Sequence, residues 1–74
     1  MLERVQHILQ DYTDVPMFDI TLDSTLVEKL GLNSLDVVNI VVAFEDEFDI
    51  EIPDRAIKNL TTVGDIVNYL EKHA

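Results

Sequence analysis

The stretch SLDVVNIVVAFEDEF, residues 34 to 48, does most to limit what this chain can fold into. It holds neither glycine nor proline, and it predicts the most apolar helix of the molecule. At 100° per residue, Val37, Val38, Ile40, Val41, Val42, Phe44 and Phe48 spread over an arc of roughly 200°. So wide an arc suits a helix contacted by several others. Asp36, Asn39, Ala43, Asp46 and Glu47 fall on the remaining arc and must face water or a partner.

Companions for this helix are legible on both sides. Leu2, Val5, Ile8, Leu9 and Tyr12 recur at the spacing of one amphipathic stripe, and Pro16 lies beyond its end. A loop follows to about Leu32, with strand-like fragments but no partner strand. Pro53 stops the chain after Ile50 and Ile52, and Asp54 is placed to cap a short helix carrying Ala56, Ile57 and Leu60. Thr62-Val63-Gly64-Asp65 has the form of a capping box with Asp in the usual Glu position. It opens a last helix with Val63, Ile66, Val67 and Leu70 on one stripe. The expected fold is all-α, a small four-helix bundle of three longer helices plus one short helix, in a single domain over residues 1–74.

The chain's 74 residues make a small core, which buries only about 60% of the unfolded surface. There is no cysteine, so disulfides, thiolate metal sites and cysteine nucleophiles are excluded. No apolar run reaches the length of a membrane span, and residues 1–30 lack the pattern of a signal peptide. A cytoplasmic location is the expectation. Five Lys+Arg against 15 Asp+Glu give a formal net charge of −10, which argues against nucleic acid or an anionic membrane as partner. Between Leu30 and Asp54 there is no Lys or Arg, while Asp36, Glu45, Asp46, Glu47, Asp49, Glu51 and Asp54 fall there. A basic protein surface is the natural partner for such a face.

The polar gap GLNSLD, residues 31 to 36, carries the candidate site. Asn33 is a good N-cap, Asp36 at the third helical position can reach back to it, and Leu32 can staple against Val37. Gly31 can end the preceding segment in a left-handed conformation. These local roles leave Ser34 unassigned. Its surroundings are not G-x-S-x-G, and His7 and His73 sit near the chain ends, so no base is placed to activate it. The acidic residues show no device for separating two pKa values, and they lack the ligand spacing of an EF-hand. No metal site and no catalytic group are predicted. A hydroxyl at a helix N-terminus suits a phosphate ester, which would sit against free N–H groups and the positive end of the helix dipole. A separate enzyme must attach such a group.

GLNSLD, followed by VVNIVVAFEDEFDIEIPD and then LTTVGDIVNYL, resembles the acyl carrier proteins over nearly the whole chain, with a weaker match across residues 1–20. The resemblance implies that Ser34 is the attachment site of 4′-phosphopantetheine, delivered from coenzyme A by a phosphopantetheinyl transferase. The thiol of that arm would carry acyl groups as thioesters, which accounts for the absence of cysteine in the chain. It implies a non-enzymatic carrier, expected as a monomer, that visits acyl-transferring and fatty-acid or polyketide synthase enzymes through their basic docking patches. Asp36, Glu45 and Asp46 match acidic positions of the family's partner surface, and Leu35 and Val42 match its apolar contacts. Asn33 stands where the family usually has Asp, and Asn39 where a glutamate is customary on the exposed face. Ile57 and Ile66 are bulkier than the alanines often found there, which implies a smaller or reshaped shelter for the acyl chain. Fatty acid biosynthesis is the expected setting. A specialised carrier of polyketide or aminoacyl units, or an acidic interaction module that is never modified, are the alternatives.

Overall fold

The computed structural model describes residues 1–73. Four α-helices follow one another: α1 (Leu2–Leu9), α2 (Ser34–Phe48), α3 (Asp54–Ile57) and α4 (Val63–His73), with one 3-10 turn at Met17–Asp19. The all-α expectation holds, with three longer helices and one short one.

Each helix buries the stripe its spacing defines. Val5 and Leu9 of α1, Ile40, Val41 and Phe44 of α2, and Val63, Ile66, Val67 and Leu70 of α4 meet in one core. Ile20, Leu26, Leu30 and Leu32 from the long connection, and Ile52 from the segment before α3, complete it. Phe44 is 1% exposed at its centre. Burying a side chain of that size is worth about 2–3 kcal/mol.

The stripe through Tyr12 predicts a longer first helix than the one observed. Helix α1 ends at Leu9 because the Asp11 and Tyr12 N–H groups donate to Ile8 and Leu9 carbonyls, tightening the last turn. Tyr12 nevertheless packs against the core from that turn. Asp54 does not cap the short helix: Pro53 holds the N-cap position, and Asp54 is already helical with no side-chain cap bond. That helix ends at Ile57, so Leu60 packs on the core from beyond it.

As expected, the long connection has no partner strand among the described residues, but one isolated bridge fixes it. Thr25 and Thr62 form an antiparallel bridge. Around it, Leu26 N–H donates to the Thr61 carbonyl, Val63 N–H to Ser24 and Gly64 N–H to Leu22, at 3.0, 2.9 and 2.8 Å. Residues 22–26 thereby lie along the start of α4. Gly64 suits that contact, since a Cβ there would sit a tight 3.0 Å from the Leu22 carbonyl oxygen. Ser24, the buried polar residue of the segment, accepts the Thr21 N–H on Oγ at 3.0 Å.

Two reversals fix the ends of α2. Gly31 enters with φ +70, the left-handed turn its lack of Cβ permits. Asp49 leaves with φ 54 and ψ 51, a left-handed C-cap made by a residue with a Cβ. Across the far end, Arg4 of α1 pairs with Glu47 at 2.6 Å and lies 4.4 Å over the Phe48 ring. This clip joins the start of α1 to the end of α2.

Candidate functional site

Helix α2 starts at Ser34 because Asn33 and Asp36 make a reciprocal capping box. Asn33 Oδ1 accepts the Asp36 N–H at 2.8 Å, and Asp36 Oδ2 accepts the Asn33 N–H at 3.2 Å. Asn33 itself is extended, so the chain enters the helix at a corner. Leu32, immediately before, is buried, and Val37 packs against the same core. This anchors the corner from beneath. Ser34 stands exposed on top of it.

The chemistry open to Ser34 follows from these neighbours. The Ser34 and Leu35 N–H groups begin the helix and have no intrahelical acceptor. They supply donors for a group of negative charge, and the helix dipole adds to them. Among the described residues the Ser34 hydroxyl makes no hydrogen bond to a base. Asp36 spends Oδ2 on the cap, His7 contacts Gln10 on α1 at 3.3 Å, and His73 stacks on Tyr69 of α4 at 4.2 Å. The arrangement can therefore accommodate a phosphate ester at Ser34. Among the described residues no cluster of His, Asp and Glu is arranged for a metal ion.

The outer face of α2 differs from the expectation drawn from its wide apolar arc. Val38 and Val42 are 51% and 48% exposed, and Leu35 is 67% exposed. Part of the apolar arc thus reaches solvent beside Ser34. Asn39 and Asp46 are exposed on the same side of α2. Glu45 is held differently: its Oε2 accepts the Ile52 N–H at 2.7 Å, tying the segment before α3 back to α2. Glu47 is paired with Arg4. Of the acidic run, Asp46, Asp49, Glu51 and Asp54 are exposed and hold no ion pair.

Val38 and the Glu45 bond to Ile52 are the features of this face that sequence reasoning missed. Val38 lay inside the predicted buried arc. Glu45 and Ile52 are seven residues apart with a chain reversal between them. Ile66 is buried and Ile57 half-buried against the core, so both bulky side chains occupy the interior that alanines would leave open. An open groove of about 630 Å³ between α3 and α4 is lined by Ala56, Leu60 and Tyr69 among others, and Ser34 takes no part in it.

The protein-family model described as "Phosphopantetheine attachment site" matches residues 3–70. A protein of Clostridium acetobutylicum named "Acyl carrier protein" is 38% identical over 73 residues, covering 99% of this chain and 95% of the relative. A Clostridium perfringens protein of the same name is also 38% identical over 73 residues, covering 99% and 96%. A solved structure of the acyl carrier protein from Enterococcus faecalis superposes with a TM-score of 0.86 at 29% identity, covering 99% of this chain and 92% of that one.

Proposed function

The chain belongs to the acyl carrier proteins, the family of the phosphopantetheine attachment site, and from that premise we propose that Ser34 is the residue that bears its 4′-phosphopantetheine arm. The observation that carries this assignment is the exposed Ser34 hydroxyl at the first position of a helix whose cap is already satisfied by Asn33 and Asp36. The cap groups are spent on each other, so the Ser34 and Leu35 N–H groups remain to face a phosphodiester oxygen. The arm supplies the thiol that the chain itself lacks. The chain's own contribution is to hold Ser34 out from the core on a rigid corner. Among the described residues no base is hydrogen-bonded to Ser34, and its proton leaves to a phosphopantetheinyl transferase.

The chain is a carrier and not an enzyme. Its finer partner set comprises the transferase and acyl-transferring synthase enzymes with basic docking patches, most directly those of fatty acid biosynthesis. Leu35, Asp36, Asn39, Val42, Glu45 and Asp46 are the residues assigned to docking. Leu35 and Val42 supply apolar contact beside Ser34, and Asp46 supplies charge. Glu45 contributes through its position, since one carboxylate oxygen already holds Ile52. Asp36 likewise supports the corner while lending charge. Residues 1–74 act as one carrier domain, a monomer working in the cytoplasm. No helix among the described residues is long and apolar enough to cross a membrane.

Incubation of the apo-protein with coenzyme A and a broad-range transferase, followed by intact mass measurement, tests the assignment. One 4′-phosphopantetheine is gained by the native chain and none by Ser34→Ala. A gain that persists in Ser34→Ala contradicts it.

A further inference from the structure

Arg55 of helix α3 and Lys58, its C-cap, lie on the exposed surface, immediately after a stretch with no basic residue from Leu30 to Asp54. Neither takes part in an ion pair; among the described residues the Arg4–Glu47 pair is the one formed. Both are therefore open charges, and their place in the fold gives them a use.

After Asp49 the chain turns back, with Ile50 N–H donating to the Glu45 carbonyl and Ile52 N–H to the Glu45 carboxylate. Residues 50–53 thus run back along α2, toward its N-terminus. An extended residue advances about 3.3 Å against 1.5 Å in a helix, so α3 begins level with about residue 41 of α2. The side of α2 facing this segment is the side of Glu45. On a 100° wheel, Val38 lies about 20° from Glu45 and Val42 about 60°. The exposed apolar stripe of Leu35, Val38 and Val42 therefore lies toward the side of α2 on which the chain leads to α3.

Any enzyme acting on Ser34 must cover the start of α2, and this stripe directs its footprint toward α3. A standard interface takes about 800 Å² from each partner, roughly 30 Å across if round. The molecule measures 27 × 23 × 19 Å, so such a footprint centred on Leu35–Val42 extends well beyond α2, on the side that leads to α3.

We infer that the transferase loading Ser34 presents an acidic side chain to Arg55 and Lys58 at α3, alongside the basic patch that meets Asp46, so that docking is of mixed charge. This rests on the assignment of Ser34. Arg55 and Lys58 act in recognition and not in the transfer itself. Their contact fixes orientation: a partner offering basic charge alone meets repulsion at α3.

The test is the steady-state kinetics of the host's own phosphopantetheinyl transferase with the apo-protein as substrate, comparing Arg55→Glu and Lys58→Glu with the native chain. A control of equal charge change, His7→Glu with Gln10→Glu, places the new carboxylates on exposed positions in the last turn and at the C-cap of α1. Circular dichroism verifies that every variant is folded. Each α3 reversal is expected to raise KM about 5–20-fold with kcat unchanged, while the α1 control leaves KM unchanged or lowers it. An α3 reversal that leaves KM unchanged or lowers it, as added acid does for a purely basic partner, overturns the inference. The two readings fail separately. Absence of mass gain on the native chain contradicts the Ser34 assignment, whereas normal loading with unaltered KM in the α3 variants contradicts only the mixed-charge surface.

Discussion

Replacing Asp65 tests how the structure holds the start of α4 and, through it, the long connection that leads to Ser34. Asp65 Oδ2 accepts the N–H groups of both Thr61 and Thr62 at 3.0 Å, while Thr62 Oγ1 accepts the Asp65 N–H at 3.2 Å. The backbone donors of Thr62 and Thr61 hold the Asp65 carboxyl below its ordinary value of 3.8, against a small opposing effect of burial. Loss of a capping side chain costs about 1 kcal/mol, and loss of a negative charge at a helix N-terminus about 0.5 kcal/mol more. Asp65→Ala should therefore lose about 1.5 kcal/mol from a total near 4–11 kcal/mol for a chain of this length. At 4–8 °C per kcal/mol, the thermal midpoint falls about 6–12 °C at neutral pH. The sign of the pH dependence follows from the lowered value. The carboxylate's stabilisation is fully present above the ordinary value of 3.8 and is lost as pH falls through the lower folded one. Asp65→Asn keeps an acceptor but not the charge, so its gap from the native chain is smaller at neutral pH and narrows at about pH 2.5. Thermal melts by circular dichroism at both pH values measure this. A gap for Asp65→Asn that stays constant into acid, or an Asp65→Ala midpoint equal to the native one, would refute the reasoning.

Other positions give sharper single tests. Gly64→Ala forces a Cβ to 3.0 Å from a backbone carbonyl, and the loss should be about 1–3 kcal/mol by urea unfolding. Asp49→Gly relieves the left-handed C-cap and removes an acid from the negative end of α2, so the thermal midpoint should rise by several degrees, by about 1 kcal/mol of stability. Arg4→Gln breaks the clip on Glu47 and Phe48. With the paired side chains 55% and 47% exposed, the loss is about 0.5–1 kcal/mol in dilute buffer and smaller at about 1 M salt, which a melt in each condition checks.

The parts legible in the sequence are those that neighbouring residues determine. Asn33 with Asp36, and Thr62 with Asp65, are reciprocal boxes within one turn, so the starts of α2 and α4 were readable to the residue. Ser34 stood out because those local bonds use every neighbour except it. Contacts that join distant residues left no such mark. Arg4 and Glu47 are 43 positions apart, and nothing in either stretch names the other. The pairing of residues 22–26 with 61–64 rests on a few backbone bonds around one bridge, without the alternating run that signals a strand. The exposure of Val38 was hidden for a different reason. Hydrophobicity marks a face suited to burial but not what covers it, and Val38 stays 51% exposed. Proline at 53 was read as the stop before the helix when it is the N-cap itself, which displaced Asp54 by one position.

The most direct test of the central claim is the chain purified from its own cells, digested, and sequenced by mass spectrometry to locate its modification. The peptide spanning GLNSLD should carry one 4′-phosphopantetheine on Ser34, lost on mild cleavage of the phosphodiester. An unmodified Ser34 in all molecules, or the arm found on another serine such as Ser24, would contradict the account.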